Sequence, residues 1–542
     1  MTTPQIPVVF ILALMLLMAT AVRGQDFAGG GARERSPFTD IVFDGDRAQV
    51  LVGDRWFEWV GINNIDYETI LAEARLRDQR DPRRRIAEDL VSILAGLGIE
   101  PNEAVRRELR TLDEQRTLVM PHVPMTRENR SLVVENRRER QAREAHALLE
   151  RRASTRVDVE LVFDELIANV RMHHAYADLK GLDLIDASKE EIDRIGTNPT
   201  LGEAVLAAQR FIARLGDGHA SIDDWLEFAP HGRLDALFQH AKGGVVAFRR
   251  DPREATGELL DPDHPYVSSM DGVPIERWIE AASAYVTDGS PALVRRRSAG
   301  LLRYVNLIRD ELDLPHDPTV DLRLRNADGS STADLQITVT ARRGIYGVWP
   351  RSESRVLDSG IGYIRLDRMH RAGPELEAIE RDLKAMADAP GLIIDVRGNG
   401  GGSRDAITRL VPWLLDAEAD ANGQQPARVI NTARALLSVR DDPDAPNGHL
   451  ANRRAFPASW NGWSPAERDA IDGFSTNFQP QWEPPHGRFS GPHYTVVSRK
   501  PGDPIYTGPV VVLIDEGSIS ATDIILRALK DLPRKTLLGM PS

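Results

Sequence analysis

Two short apolar segments in the last third of the chain each run directly into a turn and then into a helical pattern. They are GLIIDVR (391–397) and PVVVLID (509–515), and apolar runs of this length are typical of strands buried on both faces. Strands that alternate with helices form parallel sheets, which gather functional groups at the carboxyl ends of their strands. We therefore expect an α/β layered domain. The alternation continues in predicted strands at 360–366 and 535–539 and in predicted helices at 375–387, 405–415 and 518–531.

The preceding segments differ in character, so the whole chain is predicted to be a multidomain α/β (α+β) protein. A hairpin is expected over 38–64, turning at Gly53-Asp54. Residues 66–152 are rich in Arg and Glu at helical spacing, which favours solvated helices. Residues 158–215 show helical periodicity, and residues 240–345 show a β-rich pattern with turns. The predicted domains are 1–24, 25–157, 158–230, 231–345 and 346–542, the last with an insertion at about 417–500.

Composition excludes several classes of function. Of 542 residues, 42% are hydrophobic, as expected of a protein with several buried cores. Lys and Arg total 68 against 81 Asp and Glu, a formal charge of −13, which argues against a nucleic-acid partner. The chain has no cysteine, so disulfides, thiolate metal sites and cysteine nucleophiles are excluded. Its histidines show no metal-ligand spacing, and no cofactor is predicted.

The first residues carry an export pattern. Val8 to Val22 is an apolar run, shorter than the about 20 residues that a spanning helix needs. Small residues follow it, which fits a signal peptide over 1–24. We expect an exported protein, periplasmic or secreted, that stays anchored in the membrane only if this segment is not cleaved.

Three turns contain residues suited to chemistry. The glycine turn (395–402) follows one buried strand and offers backbone N–H groups to an anion or simply forms a loop. It lacks the ending of a phosphate-binding P-loop, and the G-x-G-x-x-G pattern fails at Ser403. The serine turn (515–523) follows the next strand, and its Ser520 is either a helix N-cap or a nucleophile. The histidine turn (216–219) presents His219 at a helix end, as a structural group or a base.

Taken together, these motifs resemble the tail-specific (C-terminal processing) serine proteases of peptidase family S41. The resemblance lies in GYIRL, LIIDVRGNGGG, GPVVVLIDEGSISATDIILRALKD and TLLG, in that order, and covers about 158–542. The upstream FDELIANVRMHHAYADLKG and ARLGDGHASI are similar to the tricorn-core branch. The resemblance implies a crotonase/ClpP-like αββ catalytic domain, an N-terminal helical region, and a PDZ-like β module containing Asp271-Gly272-Val273-Pro274-Ile275.

The same resemblance assigns roles to individual residues. It makes Ser520 the nucleophile and His219 the general base, with the backbone N–H groups of Gly401 and Ala521 as the oxyanion hole. It implies that the PDZ-like module binds the C-terminal end of a protein or peptide substrate, and Gly243, Gly244 and Val245 are the candidate groove. It implies no cofactor. It does not predict an oligomeric state.

Two further expectations concern activity. The resemblance places a catalytic lysine, or in tricorn-like members an acidic partner, beyond Ser542, so we expect the chain as written to be weakly active or inactive. Thr522-Asp523 also stands where relatives often carry Ser-Glu. The main alternative is a non-catalytic peptide- or ligand-binding protein of the same fold. A third reading, an acyl-CoA hydratase-like enzyme, would not need Ser520.

Overall fold

The computed structural model describes residues 35–44, 47–53, 55–77, 82–88, 90–99, 104–113, 116–126, 128–137, 140, 156–251, 256–287, 289–341, 351–415, 427–437, 447–485, 487–499, 505–530 and 532–540. The predicted signal peptide at 1–24 lies outside these ranges. Within them the protein is a mixed α/β structure with four sheets. No described helix is both long enough and apolar enough to cross a bilayer.

The first sheet is built from the N-terminal part of the chain. Its strand order is β1-β2-β3-β5-β6, with β4 paired to β3. The hairpin predicted at Gly53-Asp54 is confirmed, since Val52 pairs with Arg55 and Gly53 has φ 62°. The strands are β1 Ile41–Asp44, β2 Arg47–Val52, β3 Arg55–Ile62, β4 Ile65–Asp66, β5 Ala104–Thr111 and β6 Thr117–Pro124, and the helices are α1 Tyr67–Arg77, α2 Pro82–Glu88 and α3 Leu90–Gly96.

The prediction of solvated helices over 66–152 was wrong in two respects. Strands β5 and β6 occupy 104–124, because Val105, Arg107 and Leu109 alternate inward and form one buried face. The helices before them also bury apolar residues, such as Ile70 and Leu94, in one core with the sheet. Charged residues conceal the strand pattern, since Arg106, Glu108 and Arg110 occupy outward positions of β5. Most of 138–155 lies outside the described residues.

A helical layer and a β-rich module share the second core. The predicted faces over 158–215 are confirmed, since Phe163, Leu166 and Val205 are buried there together with strand residues such as Leu322 and Ile337. The eight-stranded sheet has the order β10-β9-β11-β13-β14-β7, with β8 on β9 and β12 on β11. The helices are α4 Arg156–His173, α5 Ala177–Lys180, α6 Leu184–Ile195, α7 Leu201–Ala213, α8 Ile275–Ser283, α9 Pro291–Leu301 and α10 Val305–Glu311. The strands are β7 Arg233–Leu234, β8 Leu237–Ala241, β9 Gly244–Asp251, β10 Thr256–Leu259, β11 Tyr266–Met270, β12 Val273–Pro274, β13 Thr319–Arg325 and β14 Thr332–Thr340.

The C-terminal sheet has five strands in the order β15-β16-β17-β21-β22. Strands β16, β17, β21 and β22 are parallel, as the strand–turn–helix alternation predicts, and β15 is antiparallel. Leu376, Ile379 and Leu383 repeat at helical spacing and bury one face of α11 against this core. The elements are β15 Glu353–Val356, β16 Gly362–Arg365, α11 Pro374–Ala385, β17 Leu392–Asp395, α12 Asp405–Leu410, β21 Val510–Ile514, α15 Ala521–Lys530 and β22 Lys535–Gly539.

The segment between β17 and β21 carries a small sheet of its own. These two strands are direct neighbours, so the intervening residues leave the sheet and return, as expected of an insertion. The small sheet has the order β18-β20-β19 and packs Trp463, Ile471 and Tyr494 in a separate core. Its elements are β18 Ala427–Ala433, α13 Gly448–Asn452, β19 Phe456–Pro457, α14 Pro465–Asn477 and β20 His493–Ser498. Residues 416–426 and 438–446 lie outside the described ranges.

Candidate active site

The serine turn lies at the carboxyl end of β21 and leads into α15. Ser520 has φ 64°, a left-handed conformation that is unusual for a residue with a side chain. The turn is held by Ser518, whose Oγ donates to Val396 O at 2.8 Å, and by Asp515, whose Oδ1 accepts from Gly517 N at 2.9 Å. These contacts fix the backbone that presents the Ser520 hydroxyl.

The glycine turn converges with the serine turn, as their positions after adjacent parallel strands predict. Gly398 N donates to Asp515 Oδ1 at 2.7 Å, and Ile519 N donates to Asn399 O at 3.1 Å. A Cβ added to Gly401 would lie 2.7 Å from Ser520 Cβ, so a side chain has no room at that position. Gly401 also has φ 94°, a second reason for glycine. The two turns therefore form one site beside Ser520.

His219 reaches this site from the histidine turn that follows α7. Its Nε2 lies 3.0 Å from Ser520 Oγ, although 301 positions separate the two residues in sequence. The turn is closed by a hydrogen bond from Ala220 N to Asp217 O at 2.9 Å. Helix α9 fixes it from outside, since Arg297 Nη1 donates to Gly218 O at 3.0 Å. The His219 side chain is 68% exposed, so a substrate can reach it.

The carboxylate of Asp395, below the turns, is ionised and paired. Asp395, at the end of β17, is fully buried and accepts from Tyr363 Oη at 2.7 Å and from Arg397 Nε at 2.9 Å. Burial alone would raise the pKa of Asp395, but the hydrogen bonds from Arg397 and Tyr363 outweigh it and hold the pKa below the usual value. Asp395 therefore stabilises the strand end rather than serving as an acid.

The predicted oxyanion-hole residues differ in their hydrogen bonding. Ala521 is the first residue of α15, and within the described residues its N–H has no acceptor, which leaves it available. Gly401 N instead donates to Asn399 Oδ1 at 2.9 Å. Gly401 lies beside Ser520, but its N–H already donates to Asn399. The resemblance does not predict this hydrogen bond, because it assigns Gly401 its role without considering the Asn399 side chain.

The candidate groove at Gly243, Gly244 and Val245 does not offer an open strand edge. Val245 pairs with His240 of β8 on one side and with Val267 of β11 on the other, so both edges are occupied there. Gly243 lies against the Tyr266 ring, and its carbonyl accepts from Arg325 Nη2 at 2.7 Å. At Val245 both edges of β9 are therefore paired, which leaves no edge there for an added strand.

The C-terminal part of the chain matches a known protein family. Residues 360–542 match the family model described as peptidase family S41. These residues form an S41 peptidase domain. No curated protein matches the chain in sequence.

Several solved structures are similar to the chain that contains this S41 domain. Mature CPAF in complex with lactacystin is 15% identical, with 70% of this chain and 84% of that chain covered and a TM-score of 0.45. The photosystem II D1 C-terminal processing protease is 14% identical, with coverage of 70% and 80% and a TM-score of 0.32. A putative peptidase from Parabacteroides merdae is 14% identical, with coverage of 71% and 75% and a TM-score of 0.31.

Sequence reasoning missed several residues around the S41 site. Asn399 holds the glycine turn, and Arg296 and Arg297 of α9 hold the serine and histidine turns from outside. Nothing in the local pattern distinguishes these arginines from Arg295, since the three are consecutive. No group of three or more His, Asp or Glu side chains in the described residues could hold a metal ion.

Proposed function

We propose that this protein is a serine peptidase that hydrolyses peptide bonds of protein substrates through an acyl-enzyme at Ser520. The observation that carries the proposal is the 3.0 Å contact between His219 Nε2 and Ser520 Oγ beside the glycine turn. A nucleophile within hydrogen-bond reach of a base is the arrangement that acyl transfer needs. It favours a histidine base over a lysine base.

The proposed steps conserve protons and electron pairs. His219 Nε2 accepts the proton of Ser520 Oγ as the oxygen attacks the peptide carbonyl carbon, and the carbonyl π electrons move onto its oxygen. The intermediate collapses, the C–N bond breaks, and His219 returns the proton to the leaving amine. Water then attacks the ester with His219 again as base. The new carboxylic acid leaves, and Ser520 Oγ regains its proton.

The oxyanion is expected at the start of α15. Ala521 N–H would be one donor, and the partial positive charge of the helix N-terminus would add to it. Gly401 N–H would be the second donor if it is shared with or released from Asn399 Oδ1 when substrate binds. The Gly402 N–H, which has no acceptor within the described residues, is adjacent. One such donor is typically worth 10²–10³ in rate.

Substrate recognition is proposed at β8 rather than at the candidate glycines. Among the described strands, β8 pairs with β9 alone, and helix α9 flanks it. An extended substrate segment could add to the remaining edge of β8 next to α9, which itself contacts the serine and histidine turns. The proposed preference for substrate C-termini rests on the sequence motifs. The proposed export rests on the apolar run at 8–22.

A serine-directed fluorophosphonate probe tests the proposal on the full chain. We expect covalent labelling at Ser520, located by peptide mass spectrometry, and none in Ser520→Ala. His219→Ala should lower the labelling rate by about 10²–10⁴-fold, because the base is lost. A fluorogenic peptide with a free C-terminus would report turnover.

A folded wild-type chain that leaves Ser520 unlabelled would contradict the peptidase proposal. If that chain bound peptides without cleaving them, the alternative of a non-catalytic binding protein would replace it. Circular dichroism of each variant checks that the fold is retained.

A further inference from the structure

Asp217 lies between His219 and a second histidine, His174, which follows α4. Asp217 Oδ1 accepts a hydrogen bond from His219 N at 2.9 Å and lies 3.8 Å from His219 Nδ1. The other oxygen, Oδ2, lies 3.3 Å from His174 Nε2. The His174 side chain is 10% exposed, against 68% for His219. From the exposed His219 inward the groups therefore follow the order His219, Asp217, His174, and His219 also contacts Ser520.

We propose that Asp217 is the carboxylate that orients His219 and stabilises its protonated form, and that His174 holds Asp217 from the interior. This inference deepens the proposed function and rests on it. Because His219 Nε2 faces Ser520 Oγ, Nδ1 is the nitrogen that remains for a carboxylate. Among the described residues, Asp217 is the carboxylate within 4.0 Å of that ring. At 3.8 Å the two groups form an ion-pair contact rather than a hydrogen bond.

Charge and hydrogen bonding agree with this role. The contact with His174 lowers the pKa of Asp217 most; burial opposes it, and the His219 N–H adds to the lowering, so Asp217 is a carboxylate at neutral pH. The 3.3 Å contact between His174 Nε2 and Asp217 Oδ2 does not have hydrogen-bond geometry, and within the described residues neither ring nitrogen of His174 hydrogen-bonds to another group. The histidine turn also follows the C-terminal end of α7, where carbonyl groups favour a cation.

Three other charged groups face these residues. Lys180 Nζ lies 3.3 Å from the position that a Cβ on Gly216 would take. Arg297 donates to Gly218 O, and Asp523 Oδ2 accepts from Ser520 N at 2.7 Å. All three remain in the variants below, so a change in pH dependence reports on Asp217 or His174.

Asp217→Asn removes the negative charge but keeps the turn, because an amide oxygen can still accept a hydrogen bond from the His219 N–H. We expect the rate of Ser520 labelling at neutral pH to fall on the order of 10²-fold. The midpoint of its pH dependence should move to lower pH, because protonated His219 loses its anionic partner. A histidine C–H NMR titration, assigned with His219→Gln, should show the His219 midpoint moving to lower pH. His174→Phe keeps a ring and should give a smaller change in the same direction.

The matched control is Asp224→Asn, which removes the same charge from an exposed residue. Asp224 has φ 53°, a conformation that Asn tolerates, so rate and midpoint should stay at wild-type values. An Asp217→Asn variant with an unchanged His219 midpoint would overturn the inference, even if labelling fell. The NMR titration does not depend on activity. If the wild-type chain were not labelled, the proposed function would be contradicted. The NMR titration would still show whether Asp217 is coupled to His219.

Discussion

The backbone at Ser520 adopts a left-handed conformation although the residue carries a side chain. The left-handed φ of 64° places the hydroxyl above the helix start, facing His219. For a residue with a Cβ this conformation costs roughly 1–2 kcal/mol, a cost that glycine avoids. The hydrogen bonds of Asp515 and Ser518 hold the turn in this shape. Strain that persists at the nucleophile is consistent with a functional site.

Two substitutions of Ser520 measure the conformational strain at this position without the reactive hydroxyl. Ser520→Gly should unfold at higher denaturant concentration than Ser520→Ala, with a free energy of unfolding greater by about 1 kcal/mol, because only glycine relieves the positive φ. Neither variant should react with the fluorophosphonate. Chemical denaturation followed by circular dichroism measures the difference. Equal stability of the two variants would mean that the turn carries no strain at this position.

Asn399 shows how one buried side chain organises the site. Its Oδ1 accepts from Gly401 N at 2.9 Å and from Thr522 Oγ1 at 2.8 Å, and its Nδ2 donates to Leu366 O at 3.0 Å. The side chain is fully buried, so each of these groups would lose its partner if Asn399 were removed. Asn399 thereby joins the glycine turn, α15 and β16 into one unit.

At the scale of elements, helix α9 connects the β-rich module to the serine and histidine turns. Arg296 Nη1 pairs with Asp515 Oδ2 at 2.8 Å, and a Cβ on Gly517 would lie 2.7 Å from Arg296 Cζ. Arg297 donates to Gly218 O of the histidine turn. Arg295, in contrast, faces solvent and pairs with the exposed Glu276. Three consecutive arginines thus have three different environments.

Arg296→Ala should slow Ser520 labelling by about tenfold or more, because small displacements of a nucleophile are costly in rate. Arg295→Ala is the matched control. It removes the same side chain one position away, and an exposed ion pair contributes little, so its labelling rate should stay within about twofold of wild type. The measurement is the second-order rate constant for fluorophosphonate labelling. If both variants labelled alike, α9 would have no part in positioning the serine turn.

At the scale of the whole molecule, the helical layer and the β-rich module are joined by one core. Phe211 of α7 is fully buried, and its ring packs edge-on against Phe163 of α4 at 5.6 Å. The same cluster includes Trp278 of α8 and Leu322 of β13. The predicted boundary near residue 230 therefore passes through a shared core, and we expect the two parts to unfold together.

Phe211→Ala tests whether the helical layer and the β-rich module unfold together. The variant should lose about 3–5 kcal/mol of unfolding free energy, because it leaves a cavity in the core. Hydrogen exchange should then rise in β11 and β13 as well as in α7. Leu161→Ala is the control on α4: its side chain is 46% exposed, and a change there should stay within about 0.5 kcal/mol. Faster exchange confined to the helices would show two independent units.

Local patterns predicted much of the fold. The helical faces of α4 and α7 repeat apolar residues at 3.6-residue spacing, and the turn at Asp271-Gly272 carries two positive φ angles, 49° and 73°, as an Asp-Gly hairpin favours. Strand β5 escaped prediction because Arg106, Glu108 and Arg110 occupy its outward positions and Arg107 an inward one. The pairing of both edges of β9 at Val245 was not predicted, because strand order in a sheet depends on partners distant in sequence.

By itself the sequence determined the alternation of strand, turn and helix, the glycines at 400–402, and a serine and a histidine at helix ends, because periodicity and backbone freedom are local properties. Only the tertiary structure decided that His219 and Ser520 lie 3.0 Å apart, that Gly401 is bonded to Asn399, and that Asp217 lies between two histidines. These contacts join segments up to 301 positions apart. The arginines of α9 and the pairing of adjacent parallel strands bring them together, and no local pattern encodes such distances.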